Sequence, residues 1–174
     1  ALHIVSVGRL APEKHFENII PAAKALQETG ICFTWHIVGE GPERAKLEPI
    51  IAEHHLGDCV ILEGSKANPY PYMRYADLYV HPSYVESQGL TILEAMAFGI
   101  PCVVTKSRGP CEFIEDGING LLTEQTPESL TEKVLEILED KELFRHIKEN
   151  TKCPEQFSPR QVVKQIETMI DGEN

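Results

Sequence analysis

With 174 residues, 42% of them hydrophobic, the chain has the size of one globular domain with a real core and is short for a complete two-lobed enzyme. Its formal charge of -11 argues against nucleic acid or an anionic membrane face as a general partner, so an anion site has to be local. No apolar run approaches the roughly 20 residues of a membrane span, and no basic-then-apolar leader opens the chain, so no membrane insertion is expected.

The chain enters a strand at once, Leu2 to Val7, without an initiator methionine, and so is expected to be cut from something longer. Further apolar runs of strand length follow at Cys32 to Val38, Cys59 to Leu62, Asp77 to His81, Pro101 to Val104 and Gly120 to Leu122. Between the first two, Phe16, Ile19, Ile20, Ala23 and Leu26 recur at helical spacing up to Gly30. Between the next two, Ala45, Leu47, Ile50, Ile51 and Leu56 do the same before Gly57. Both predict crossover helices. An apolar helix after Gly89 carries Glu94, and Thr126 with Pro127 predicts a capped helix whose stripe is Leu130, Val134, Ile137 and Leu138. Ser158 and Pro159 repeat that device ahead of Val162, Val163, Ile166, Met169 and Ile170. The alternation predicts an α/β fold: one Rossmann-like domain over residues 1–174, about six parallel strands flanked by helices, plus C-terminal helices.

In such a sheet, ligands bind beyond the carboxyl ends of the strands, where loops end and helix amides point outward. The polar residues gather there: Gly8, Arg9 and Lys14 after the first strand, Gly39 to Gly41 after the second, and Gly64 to Lys66 after the third. Ser83 and Glu86 follow the fourth, and Ser107 to Gly109 the fifth. Arg9 and Lys14 are the anion candidates, a fork and a mobile point charge, with Gly8 leaving room for close approach. The amides around Ser87, Gln88, Gly89 and Leu90 open a helix and suit an anion as well. Glu94 can accept two hydrogen bonds from vicinal hydroxyls such as those of a ribose, yet its apolar helix obliges it to find a partner.

Several patterns are missing. Gly39-x-Gly41 has Arg44 where the dinucleotide fingerprint has its third glycine, and no Gly-Lys-Ser/Thr phosphate loop occurs. The seven histidines show no metal-ligand spacing beyond the adjacent His54 and His55, so all seven are expected to be structural and no metal site is expected. No Asp-x-Asp occurs to hold a divalent cation on a diphosphate, so fixed positive charge has to take its place. The five cysteines, without a C-x-x-C pair, fit a reducing cytoplasm.

Taken in order, these residues resemble the C-terminal, donor-binding domain of a family 4 retaining glycosyltransferase of the GT-B fold. The likeness runs through Gly8-Arg9-Leu10 with Glu13-Lys14, Val38-Gly39-Glu40-Gly41-Pro42, and Ala76-Asp77 to Pro82-Ser83. It continues with Glu86 and Glu94, Leu93 to Ala97, Gly99-x-Pro101 and Asp116-Gly117-x-Asn119-Gly120. The resemblance implies that Arg9 and Lys14 neutralise the donor diphosphate, which makes Gly8, Gln88, Gly89 and Leu90, read above as room for an anion and as helix-start amides, its expected further binding residues. It also implies that Glu94 holds the ribose and that Glu86 is the catalytic carboxylate beside the transferred sugar. It further implies a nucleoside diphosphate sugar as donor, UDP or GDP, with retention at the anomeric carbon and neither cofactor nor active-site metal. A glycan or glycolipid acceptor would be met through an N-terminal lobe, without which this half is expected to be inactive.

The chain departs from the family at Ser87-Gln88, where glycine and an aromatic are common, at His15, where glycine is common, and at Arg108, where a glycine pair is common. The helix from Pro159 to Ile170 resembles one that reaches toward the other lobe. A non-catalytic nucleotide-sugar or phosphate-binding accessory module is the alternative reading, and a nucleotide-sugar epimerase a third.

Overall fold

The structure is a computed structural model that describes residues 1–157. Six parallel strands, β1 (Leu2–Val7), β2 (Phe33–Val38), β3 (Val60–Gly64), β4 (Leu78–His81), β5 (Cys102–Thr105) and β6 (Leu121–Thr123), form one sheet in the order β3-β2-β1-β4-β5-β6. Both faces are covered, which is why the strands read as nearly continuous apolar runs.

Alternation along each strand feeds two cores. Ile4, Trp35, Ile37, Leu78, Val80 and Val103 face α1 (Ile19–Thr29), α2 (Arg44–Glu53) and α5 (Pro127–Glu139). Val5, Val7, Tyr79, Cys102 and Val104 face the other way, toward α3 (Tyr70–Arg74) and α4 (Leu90–Ala97). One polar pair is threaded through the first core: buried Ser6 donates to Val80 O at 2.6 Å and accepts from the Trp35 indole at 3.1 Å. This satisfies the one polar atom that a fully buried tryptophan carries.

The helix expectations held with local changes. Phe16–Asn18 is a 3₁₀ turn, after which α1 begins; Gly30, left-handed at φ 76, ends it. In α2 only Leu47 and Ile51 are buried, and Ala45 is exposed. Thr126 caps α5 through the Ser129 amide at 3.2 Å, and Leu130, Val134 and Ile137 form its buried stripe. Two helices were not marked by the sequence pattern: α3, and α6 (Lys141–Asn150), which starts where α5 stops. The helix predicted after Ser158 lies outside the described residues. Among the described residues no helix is long and apolar enough to cross a membrane.

Candidate functional site

The strand order reverses between β1 and β4: β2 and β3 lie to one side, β5 and β6 to the other. At such a switch point the connections leave in opposite directions and open a crevice at the carboxyl ends of the strands. A cleft of about 250 Å3 lies there, lined by Val7, Gly8 and Arg9 from the end of β1, Lys14 from the turn beyond it, and His81 from the end of β4. Glu86, Ser87 and Gln88 from the following loop and Leu90 and Thr91 from the start of α4 complete it.

Close backbone contacts shape the rim. Gly39, at φ 152, lies so near β1 that a Cβ there would sit 1.8 Å from Gly8 O. Gly8 N donates to Val38 O at 3.0 Å and Leu10 N to Glu40 O at 3.0 Å, so the loops after β1 and β2 run side by side. Lys14 ends a 3₁₀ turn, Pro12–Lys14, and His15 beyond it is left-handed at φ 46. The His15 ring stacks on Tyr84 at 3.8 Å, and Tyr84 N and Ser83 Oγ both donate to Glu13 O. These contacts tie the Lys14 turn to the loop carrying Glu86.

Glu86 is the hub. Its Oε2 lies 2.8 Å from Lys14 Nζ and 3.3 Å from His81 Nε2, while its Oε1 accepts from the Gly89 amide at 3.1 Å. The facing His81 imidazole, with Lys14 and the Gly89 amide, holds this carboxyl well below the usual carboxylate range, overcoming the opposite effect of partial burial. His81 is 3% exposed, and burial pushes its pKa down despite the pull of Glu86. Its 3.3 Å approach to Glu86 is electrostatic in character: Nε2 is not aligned for a hydrogen bond and has no other protein partner. Beneath it, Tyr79 OH lies 3.4 Å from His81 Nδ1 and 2.9 Å from Thr91 Oγ1. Burial raises the Tyr79 phenol far above its usual value.

The fold thus brings Gly8, Arg9, Lys14, Glu86, Gln88 and Leu90 to one cleft. Gly89, left-handed at φ 70, caps α4, and its amide is engaged by Glu86 instead of lining the cleft. Glu94 does not line it either. It lies one turn along α4, three residues after Thr91 and four after Leu90, on the helix face that opens to the cleft. Its partner is Tyr70, whose hydroxyl donates at 3.1 Å and whose own pKa is raised by that carboxylate.

Tyr70 comes from α3, which is fastened to the sheet by Glu63. Burial alone would raise the Glu63 carboxyl, but hydrogen bonds from Tyr72 and His36, each 2.8 Å long, bring it below its usual value. The sequence pattern missed Thr91 and Tyr70, and His81 was among the histidines read as structural. The available signal was position: His81 ends a buried strand on the rim where every other chemical group gathers.

Residues 2–153 match the family described as glycosyl transferases group 1. Among curated relatives, N-acetyl-alpha-D-glucosaminyl L-malate synthase of Bacillus anthracis is 30% identical over 170 residues, 95% of this chain and 44% of that protein. Alpha-D-kanosaminyltransferase of Streptomyces kanamyceticus is 36% identical over 151 residues, 84% of this chain and 39% of that protein. Among solved structures, Anabaena HepE in complex with UDP superimposes with a TM-score of 0.86 at 27% identity, covering 98% of this chain and 49% of that one. The pneumococcal O-GlcNAc transferase GtfA in complex with UDP and GlcNAc gives a TM-score of 0.89 at 26% identity, covering 98% and 35%. The chain therefore spans less than half of each of these proteins. With a match over nearly its whole described length, the chain belongs to the group 1 glycosyl transferase family.

Proposed function

We propose that this chain is the donor-binding half of a retaining glycosyltransferase that takes a sugar from a nucleoside diphosphate, UDP in the first instance, and passes it to an acceptor hydroxyl. The observation that carries the reading is the pairing of Lys14 with Glu86 in a cleft at the β1/β4 switch point, with exposed Arg9 at its lip. A diphosphate seated there meets a guanidinium, an ammonium and the first amides of α4, in a chain otherwise strongly acidic. UDP is favoured over GDP because the HepE and GtfA structures, alike in fold, hold UDP.

In the reaction, the bond from the anomeric carbon to the diphosphate oxygen breaks and its electron pair stays on the diphosphate. The acceptor oxygen bonds to the same carbon, and its proton is taken up by the released nucleoside diphosphate. Arg9, Lys14 and the α4 amides stabilise the charge gathering on the leaving group and so do the work that a metal does elsewhere. Glu86, ionised throughout, stands beside a sugar carbon that becomes cation-like. Glu94 receives ribose hydroxyls in exchange for the Tyr70 hydroxyl. The acceptor, a glycan or glycolipid hydroxyl, is met by a second lobe in a cytoplasmic enzyme, and this half alone does not turn over.

Calorimetric titration with UDP, GDP and ADP, each with EDTA present, tests the donor assignment. UDP binding without metal is expected, and Arg9→Ala or Lys14→Ala weakens it roughly ten- to a hundredfold, the worth of one charge-assisted hydrogen bond. Unchanged affinity in both variants removes the diphosphate from this cleft.

A further inference from the structure

His81 is the buried imidazole that lines the cleft, and its buried Nε2 has no hydrogen-bond partner. Three titratable groups face it: Glu86 at 3.3 Å, Tyr79 OH at 3.4 Å, and Lys14 across Glu86. The ring stacks almost parallel to Tyr79, at 13° and 6.2 Å, and cannot turn away within the core.

A neutral imidazole carries its proton on one nitrogen only. With the proton on Nδ1, a bare lone pair on Nε2 would stand 3.3 Å from a carboxylate oxygen, and the two negative ends would repel. With the proton on Nε2, the positive edge of the ring meets Glu86, and Nδ1 is left to accept from Tyr79 OH. Thr91 Oγ1, 2.9 Å from Tyr79 OH, and Val7 O, 3.3 Å from it, hold the phenol in place beside the ring. The polar run Thr91–Tyr79–His81 thus ends with the Nε2 edge of the ring against Glu86.

We propose that His81 is a positioning residue for this site: as the neutral Nε2–H tautomer it turns the positive edge of its ring to Glu86 Oε2, 3.3 Å away, and steadies that carboxylate from the sheet side by electrostatic contact. The role rests on Glu86 as the carboxylate beside the transferred sugar. Lys14 holds the same oxygen from the solvent side, on a flexible stem; His81 is anchored in a strand and holds it whatever Lys14 does. A lysine drawn to an arriving diphosphate therefore leaves Glu86 in register.

The test needs no donor. Long-range 1H–15N correlation spectra of the chain labelled on histidine report which ring nitrogen carries the proton, and 13C spectra follow the Glu86 carboxyl through an acid titration. The neutral Nε2–H form is expected for His81; an Nδ1–H form or an imidazolium at neutral pH overturns the proposal. His81→Leu is expected to raise the proton affinity of Glu86 roughly tenfold or more, and His81→Gln, which keeps an N–H near the Nε2 place, to restore most of it. An unmoved Glu86 titration in a folded His81→Leu variant overturns it equally. UDP calorimetry on the same samples reads the donor assignment separately, so failure to bind UDP with the tautomer as expected sinks only that assignment.

Discussion

At the scale of single residues, position 15 shows how a departure from a family pattern is absorbed. A side chain in left-handed backbone costs about 1 kcal/mol or somewhat more, and His15 sits there at φ 46 where glycine would sit freely. Its ring recovers a comparable amount by stacking on Tyr84 at 3.8 Å, worth about 0.5–1.5 kcal/mol, and Nδ1 lies 2.9 Å from Glu17. The stack also fastens the Lys14 turn to the Glu86 loop, so strain and function share one residue. His15→Ala loses the stack and keeps the strain, whereas His15→Gly loses both. Urea unfolding should therefore place the Gly variant about 1 kcal/mol above the Ala variant. An Ala variant as stable as the Gly variant would contradict the strain at this position. The sequence flagged position 15 but could not reveal Tyr84, which is 69 positions away and reaches it only through the β1/β4 pairing. The same limit applied to Glu94: its need for a partner followed from its apolar helix, and the partner, Tyr70, stands on an element without a sequence signature.

At the scale of elements, legibility tracked how much each segment buries. The six strands were visible because parallel strands covered on both faces leave uninterrupted apolar runs, and their ends fell within two residues of the expected ones. The helix α3 was invisible for the opposite reason. It has five residues, Pro69 precedes it and Pro71 is its second residue, and only Met73 is buried, so no period can build up. The helix α6 was hidden inside a generally helical C-terminal region; its separate start depends on Asp140, whose carboxylate accepts from the Glu142 and Leu143 amides at 3.0 and 2.9 Å. The cap of α5, in contrast, was fully legible, since Thr126-Pro127 is a local signal. That cap can be weighed: α5 covers α1 and the first core, and Thr126→Ala removes the bond to the Ser129 amide. A loss of about 1 kcal/mol is expected, which moves the urea midpoint down by roughly half a molar. A midpoint unchanged within error would mean that packing alone sets the start of α5.

At the scale of the whole molecule, the buried site couples stability to pH in a direction the net charge would not suggest. Lowering the pH from neutrality toward the isoelectric point near 5.1 relieves the repulsion of a chain at -11, which by itself would stabilise it. The repelling charges are mostly exposed and screened within about 10 Å at ordinary salt, so this gain is small. His81 acts against it. Of the seven histidines it is the buried one, and burial holds its folded pKa below the unfolded value of about 6.5. Below about pH 6.5 the unfolded chain therefore binds a proton that the folded chain resists, and stability falls as pH falls. Glu86 and Glu63, both depressed in the fold, add their loss below the unfolded carboxylate value of about 4.3. Stability should then decline in two stages, gently from pH 7 to 5 and steeply below 4.5, in a series of urea midpoints. His81→Leu should flatten the upper stage, because leucine takes no proton, and shrink the Glu86 share of the lower one, leaving the share due to Glu63. A wild-type curve that rises between pH 7 and 5 would show that repulsion between surface charges, and not the buried imidazole, governs this fold in mild acid.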